Sequence, residues 1–176
     1  MSEIMTQSKK MFDPLNPKPE LIDIEDIAHA LAMLCRANGH FKTFYSVCQH
    51  SINCMQEAVA RGYSQKVQLA CLLHDASEAY LSDVTRPVKA ELPQYKLIEE
   101  PLQNAIWNKW LDAPLTRQEW EQVFDIDDAI LAHEFINLMG EAIVDPTPEI
   151  FSTPEFAFTG FETCTQAFLK LFYELT

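Results

Sequence analysis

Four residues with metal-binding side chains fall on helix faces that the apolar pattern predicts to be buried. His50 lies beside the apolar stripe of one predicted helix, and His74 and Asp75 lie in the middle of another. In a third predicted helix, a rotation of about 100° per residue places Asp127 in the centre of the stripe. A buried carboxylate needs a cation, a metal or several hydrogen-bond donors. Two imidazoles and two carboxylates therefore predict a site for one divalent transition metal, with open positions for water or substrate.

The DIDD segment around Asp127 shows how helical rotation selects one carboxylate among several. Asp125 points roughly 160° away and Asp128 about 100° away, so only Asp127 is forced inside. Glu134 lies seven residues later in the same stripe, and a structural ion pair is its default role. Considered by itself, His50 is more typical of a buried histidine with satisfied hydrogen bonds than of a metal ligand. The metal prediction therefore depends on the convergence of all four residues.

The helices that position these residues are predicted from apolar residues that recur every three and four positions. They are expected over residues 21–35, 44–60, 65–80, 101–111, 117–139 and 161–175. Thr116 with Glu119 forms a predicted capping box at the start of one of them. Proline-rich segments over residues 82–93 and 145–159 predict loops, and no convincing strand pattern occurs. The chain is therefore predicted to be an all-α bundle of about six or more helices.

Length and composition limit the classes of protein that remain. The chain has 176 residues, of which 48% are hydrophobic and 22% are charged, so we expect one domain with a sizeable core. Three prolines predict an extended arm over residues 1–19, followed by a single domain over residues 20–176. The sequence has no long apolar run and no signal-peptide pattern, which predicts a cytoplasmic protein without a membrane partner.

Charge and small motifs narrow the choice of ligand. A formal charge of −13 argues against nucleic acid as a partner, because binding a phosphate backbone needs clustered Lys and Arg. A small anionic ligand stays compatible with this charge if a local basic pocket or a metal ion receives it. No GxxxxGKS/T or GxGxxG motif is present, so a glycine-rich phosphate loop is not expected. Five cysteines without a CxxC pair predict buried free thiols.

The H…HD…D order of the four candidate ligands resembles the HD-domain superfamily of metal-dependent phosphohydrolases. The segment HDASE that begins at His74, followed by Asp83 and then by PVK, is similar to the HDxSE…D…PVK signature of bacterial HD-domain 5′-deoxynucleotidases. The segment YSVCQHS around His50 is similar to their xSxHS ligand segment, and Arg36 matches an arginine that precedes it. The resemblance covers residues 21–140 and implies an HD-domain helical bundle.

The resemblance implies a role for each matched residue. The metal ligands would be His50, His74, Asp75 and Asp127. Glu78 would be the catalytic acid/base for the attacking water, and Asp83 would help to position water or substrate. Arg36 and Lys89 would contact the phosphate. His40 is a further candidate for the substrate pocket, with a surface position as its alternative.

The implied activity is hydrolysis of small nucleotides, with release of phosphate from (deoxy)nucleoside 5′-monophosphates by a metal-activated water. Manganese, cobalt, nickel, zinc and iron all suit two nitrogen and two oxygen ligands. Ala37 stands where the deoxynucleotidases have an aromatic residue, and the stretch around it resembles a bacterial and phage subgroup with triphosphohydrolase relatives. A deoxynucleoside triphosphate triphosphohydrolase and a non-catalytic nucleotide-sensing module therefore remain alternatives. Assembly into a homo-oligomer is a further alternative, because relatives in this superfamily are commonly oligomeric.

Overall fold

The computed structural model describes residues 3–176, which form eight α-helices and one short hairpin joined by loops. The hairpin pairs β1 (Ile4–Met5) with β2 (Met11–Phe12) in antiparallel order. The helices are α1 (Ile24–Met33), α2 (Val47–Ala60), α3 (Gln65–Leu72), α4 (Glu78–Leu81), α5 (Arg86–Ala90), α6 (Pro93–Trp110), α7 (Arg117–Leu138) and α8 (Phe161–Leu175). Short 3₁₀ turns cover Pro19–Leu21 and Ala37–Gly39. The prediction of an all-α bundle is confirmed.

The core lies between α1, α2, α3, α7 and α8, which pack around fully buried aliphatic and aromatic side chains. In α8, the side chains of Cys164, Phe168 and Phe172 recur every four residues and are all buried. This single apolar stripe packs against α1, α2 and α3. All five cysteines are free thiols and four of them are buried, as predicted. No helix within residues 3–176 is long and apolar enough to cross a membrane.

Capping boxes define where α2 and α7 begin. At α2, the Ser46 hydroxyl accepts a hydrogen bond from Gln49 N at 3.1 Å, and the Gln49 side chain accepts from Ser46 N. Thr116 and Glu119 make the same reciprocal pair at α7, as predicted. Each box satisfies backbone donors that the first helical turn leaves unpaired. α2 therefore begins at Val47, three residues after its predicted start.

The continuous helix predicted over residues 65–80 is wrong, because the backbone leaves the helical path over residues 73–77. The Gln103 side chain from α6 reaches into this break. Its amide group donates to Leu73 O at 2.7 Å, and its carbonyl oxygen accepts from Ser77 N at 3.0 Å. These two bonds satisfy buried backbone groups on either side of the turns. A break maintained by a residue of another helix leaves no signal in the local apolar spacing.

Two further differences concern prolines. α6 begins with Pro93 in its first turn rather than at residue 101, because a proline there loses no helical hydrogen bond. Pro101 lies inside α6 at an exposed position, where water can satisfy the carbonyl that lacks a partner. α5 occupies part of the loop predicted over residues 82–93, and Pro87 lies in its first turn.

The predicted arm contains the hairpin, and it packs onto the bundle. Phe12 is fully buried and stacks on Tyr80, with ring centroids 4.3 Å apart. The carboxylate of Asp26 in α1 accepts from the backbone N and the hydroxyl of Ser8, both at 2.7 Å. The described part of the arm is therefore attached through both an apolar and a charged contact.

The loop predicted over residues 145–159 is confirmed, and one buried carboxylate holds it against α2. Glu57 accepts from Ser152 N at 2.9 Å, from Ser152 Oγ at 2.7 Å and from Phe151 N at 3.0 Å. Arg61 Nε donates to the same carboxylate at 2.7 Å. Burial alone would raise the pKa of Glu57, but the hydrogen bonds from Ser152 and Arg61 hold that pKa below its usual value.

We expect Glu57→Gln to destabilise the fold by about 1–3 kcal/mol, because an amide cannot accept from all of these donors. The folded-state pKa of Glu57 lies below its unfolded value. Its stabilising contribution is therefore present above the unfolded pKa and is lost as the pH falls through the folded pKa. Urea unfolding at neutral and at acidic pH should show the difference between wild type and variant shrinking toward acid.

Glu121→Gln is the matched control for this variant, because it removes the exposed partner of Arg117 on α7. It should change the free energy of unfolding by less than about 0.5 kcal/mol. Equal losses in the two variants would show that Glu57 does not anchor the loop.

Candidate metal centre

Three donor atoms from separate elements converge in the interior of the bundle. His50 Nε2 from α2 lies 3.1 Å from His74 Nε2, which belongs to the turns between α3 and α4. Asp127 Oδ1 from α7 lies 3.0 Å from His50 Nε2 and 3.8 Å from His74 Nε2. Of the three aspartates in the DIDD segment, Asp127 alone faces this cluster, since Asp125 and Asp128 are exposed.

Asp75 brings a fourth donor to the same place. Its Oδ2 atom lies 3.2 Å from His74 Nε2 and 3.8 Å from His50 Nε2. The structure thus brings together all four residues that the sequence nominated as metal ligands. Arg36 Nη1 also donates to Asp75 Oδ2 at 3.2 Å, which connects the cluster to the segment after α1.

Cys54 is a further donor that the sequence pattern did not single out. Its sulfur lies 3.4 Å from His50 Nε2, and the ligand atoms of His50, Cys54, His74 and Asp127 all lie within 4.8 Å of one another. The sequence carried one signal for this position. Cys54 follows His50 by four residues, so both side chains must share one face of α2.

Hydrogen bonds on the far side of each imidazole orient its ring toward the cluster. Glu134 Oε1 lies 2.6 Å from His50 Nδ1, and Cys71 O lies 2.7 Å from His74 Nδ1. A carbonyl oxygen can only accept, so Nδ1 of His74 donates to Cys71 O and its Nε2 atom faces the cluster. This arrangement, an imidazole held by an acceptor on the opposite nitrogen, is typical of metal-binding histidines.

Glu134 is itself held by a second ion pair. Arg36 Nε donates to Glu134 Oε2 at 3.2 Å, and the Glu134 side chain is fully buried. Burial alone would raise the pKa of Glu134, but the Arg36 guanidinium and the His50 ring hold it below its usual value. Burial and the Arg36 charge oppose protonation of His50, but the Cys54 sulfur and the Glu134 and Asp127 carboxylates raise the pKa of His50 well above its usual value. The two helices are therefore joined by a chain of charged groups.

The carboxylates of the cluster are held ionised by their neighbours. Burial opposes the charge of Asp127, but its hydrogen bond to His50 and the nearby His74 ring lower its pKa well below the usual value. His74 likewise lowers the pKa of Asp75 against the effect of burial. Ionised carboxylates are the form that coordinates a cation. The types of donor and the ionised state of the two carboxylates therefore fit a divalent transition metal.

Glu78 begins α4 and is almost fully buried. Its Oε2 atom has no hydrogen-bond partner within residues 3–176, and Lys89 Nζ lies 3.7 Å from Oε1. Burial raises the pKa of Glu78 well above its usual value, and the negative charges of Asp75 and Asp83 raise it further. Asp83 is half-buried, and burial raises its pKa as well. Glu78 thus has one carboxylate oxygen free to bind a water or a ligand.

The residues predicted to contact phosphate differ in their surroundings. Arg36 is mostly buried between Asp75 and Glu134, and Lys89 donates to Glu99 at 2.6 Å. His40 is exposed, and its ring makes no hydrogen bond or ion pair with the other residues of the described range 3–176. The surface position that the sequence left open for His40 is thus the one observed.

Arg86 is a second residue that the sequence did not nominate. It begins α5, and its Nη2 atom donates to Asp127 Oδ2 at 2.6 Å, while its Nη1 atom donates to Asp128. The two oxygens of Asp127 are thus divided, with Oδ1 toward the imidazoles and Oδ2 toward Arg86. The guanidinium is about half exposed, so α5 presents a cation at the solvent side of the cluster.

The fold and the cluster together define an all-α bundle with a buried candidate metal centre. No family model matches the chain. The uncharacterized protein RCAP_rcc00048 of Rhodobacter capsulatus is 36% identical over 159 residues, which cover 84% of this chain and 78% of the relative. The chain therefore belongs to the same protein family as this relative. The uncharacterized protein YfdR of Escherichia coli K12 is 41% identical over 112 residues, which cover 62% of this chain and 59% of that protein.

We expect Asp127→Asn to lose most of the bound metal, because an amide offers no negative charge to the cation and cannot pair with Arg86 in the same way. Asp125→Asn on the exposed face of α7 is the matched control and should retain the wild-type metal content. Elemental analysis of proteins purified without chelator measures both. Full metal occupancy in Asp127→Asn would remove this residue from the ligand set.

Proposed function

We propose that the protein is an HD-type metal-dependent phosphohydrolase that acts on small nucleotides. The observation that carries the proposal is the convergence of His50, His74, Asp75 and Asp127 in the order and residue types of the H…HD…D pattern. The segments that supply them lie far apart in the sequence, so chance spacing does not account for a cluster with interatomic distances of 3.0–3.8 Å.

In this proposal the four residues hold one divalent ion, and Glu134 and Arg36 keep the His50 ring in the orientation for binding. Such an ion lowers the pKa of a bound water and polarises a phosphoryl oxygen. Manganese, cobalt, nickel, zinc and iron are all compatible with nitrogen and carboxylate ligands. A small nucleotide as the substrate and a cytoplasmic location belong to the same proposal.

Glu78 is proposed as the group that orients and deprotonates the attacking water. Its unpartnered Oε2 atom provides the acceptor for that water, and Lys89 next to Oε1 holds the other half of the carboxylate. A general base must be within hydrogen-bond reach of the proton that it takes. Asp83, which lies near enough to raise the pKa of Glu78, is proposed to position the water or the substrate.

The cations around the cluster suit an anionic substrate in a chain of charge −13. Arg36, from the segment after α1, and Arg86 and Lys89, both from α5, contact carboxylates of the cluster or of Glu78. Positive groups of this kind stabilise charge that develops on a transferring phosphoryl group. Arg36 also lines an open groove of about 370 Å³ together with Phe41 and Phe44, and none of the four candidate ligands lines that groove.

One screen tests this proposal. The full chain, loaded in turn with each candidate metal, is incubated with nucleoside mono-, di- and triphosphates, and the product is identified as phosphate or triphosphate. We expect phosphate release from monophosphates. Release of intact triphosphate would instead assign the protein as a triphosphohydrolase and contradict the monophosphatase activity. A fully metal-loaded protein that binds nucleotides without hydrolysing any of them would contradict the enzyme proposal and favour a nucleotide sensor.

We expect Glu78→Gln to keep the metal and to bind nucleotide, while kcat falls by roughly 10²–10⁴-fold with little change in KM. Glu91→Gln, at an exposed position just after α5, is the control and should leave both constants unchanged. Metal analysis and a phosphate-release assay on the same preparations measure these effects. A near-normal kcat in Glu78→Gln would exclude the acid/base role, and loss of the metal would make Glu78 part of the metal site instead.

A further inference from the structure

Arg86 is the most exposed of the three cations that contact the carboxylates of this site. Its side chain is 54% exposed, compared with 21% for Lys89 and 11% for Arg36. Two carboxylates nevertheless hold its guanidinium in place, since Asp127 and Asp128 each accept a hydrogen bond from it. Arg86 is thus a positioned cation at the solvent side of the candidate metal centre.

The guanidinium of Arg86 retains donors for a ligand. A guanidinium carries five N–H donors in a planar arrangement. Nη2 donates to Asp127 Oδ2 at 2.6 Å and Nη1 donates to Asp128, and the other three N–H groups have no acceptor in the part of the chain that the structure describes. Because these donors are coplanar and partly open to solvent, they suit an anion that offers two or more oxygen atoms, such as a phosphate.

The fold gives little structural reason for this arginine. α5 contains no buried residue, and Val88 in its middle is 51% exposed. The helix contacts the site through the charged ends of Arg86 and Lys89, which lie three residues apart on one face. The ion pair between Arg86 and Asp128 is exposed on both sides, and pairs of this kind contribute little to stability. The position of Arg86 beside a candidate ligand is therefore better explained by binding than by folding.

We propose that Arg86 binds the phosphate group of the substrate, and that Asp128 weakens this binding by competing for the same guanidinium. The inference rests on the proposed function, and it assigns phosphate recognition to a residue that lies directly before the PVK segment and outside the H…HD…D pattern. Asp127 cannot give its full charge both to a bound ion and to Arg86, so metal binding leaves more of the guanidinium charge for an anion. Asp128 is exposed and is not a candidate ligand, so its charge continues to oppose that anion.

Binding of inorganic phosphate tests the role of Arg86 without relying on turnover. Isothermal titration calorimetry of the full chain loaded with Mn²⁺ gives the Kd for phosphate. Arg86→Gln should retain stoichiometric metal and raise this Kd about tenfold, because a hydrogen bond between charged groups is lost. Arg117→Gln is the matched control, since it removes the same charge from an exposed ion pair on α7, and it should leave the Kd unchanged.

Asp128→Asn tests the competition, and the expected effect has the opposite sign. Removal of this carboxylate should lower the Kd for phosphate about two- to fivefold, which is the scale of an exposed ion pair. Asp125→Asn removes the same charge from another exposed position of α7, and at 0.15 M salt its effect should be smaller because distant charges are screened. Equal effects of the two variants would overturn the competition. Because Asp128 is exposed, this variant gives a result even if Arg86→Gln folds poorly.

The outcomes separate this inference from the function on which it rests. An unchanged Kd in Arg86→Gln would overturn the inference, while phosphate binding by the wild type would still support a phosphohydrolase. Loss of the metal in Arg86→Gln would also overturn it, because Arg86 would then act by holding Asp127. Phosphate binding that depends on Arg86, without hydrolysis of any nucleotide, would support the inference and contradict the enzyme. A metal-loaded wild type that binds neither phosphate nor nucleotides would contradict both.

Discussion

The ion pairs of Glu134 are the constraint on which the remaining arrangement depends. This carboxylate is fully buried on α7, and it pairs with His50 of α2 on one side and with Arg36 on the other. Breaking a buried pair by removing one partner typically costs about 3–5 kcal/mol, because the remaining charge is left without compensation. α2 and α7 can therefore pack only at the rotation that joins these groups. The same rotation turns His50 Nε2 toward Asp127, so the packing of α2 against α7 also sets the geometry of the candidate metal centre.

The balance of charges explains why this interior suits a cation. When His50 is neutral, which is the form that binds a metal, Asp75, Asp127 and Glu134 contribute three negative charges and Arg36 contributes one positive charge, so an excess of two negative charges remains. Including the outer pair of Arg86 and Asp128 does not change this excess. A divalent ion would neutralise this excess, and the oriented imidazoles would complete its ligand set. An interior of this kind is costly as a purely structural core, because burying uncompensated carboxylates disfavours folding.

The sequence could predict much of this site, and the physical reasons for success and failure differ by element. Asp127 and Glu134 were placed correctly because a capped helix of 22 residues keeps a regular rotation from Thr116 onward. Cys54 was missed because a buried cysteine reads as an apolar residue in any hydrophobic pattern. Arg86 was missed because a segment with two prolines predicts a loop, and a loop gives no direction for its side chains. Contacts between distant elements carry no local signal.

The break between α3 and α4 shows what a continuous helix could not have provided. Consecutive residues in a helix point about 100° apart, so His74 and Asp75 would diverge from one face. In the turns they reach the same cluster, with His74 Nε2 and Asp75 Oδ2 3.2 Å apart. The departure from helical geometry exposes backbone groups that Gln103 then satisfies. The convergence of these two adjacent candidate ligands thus depends on a non-helical segment, and that segment depends on a polar side chain from α6.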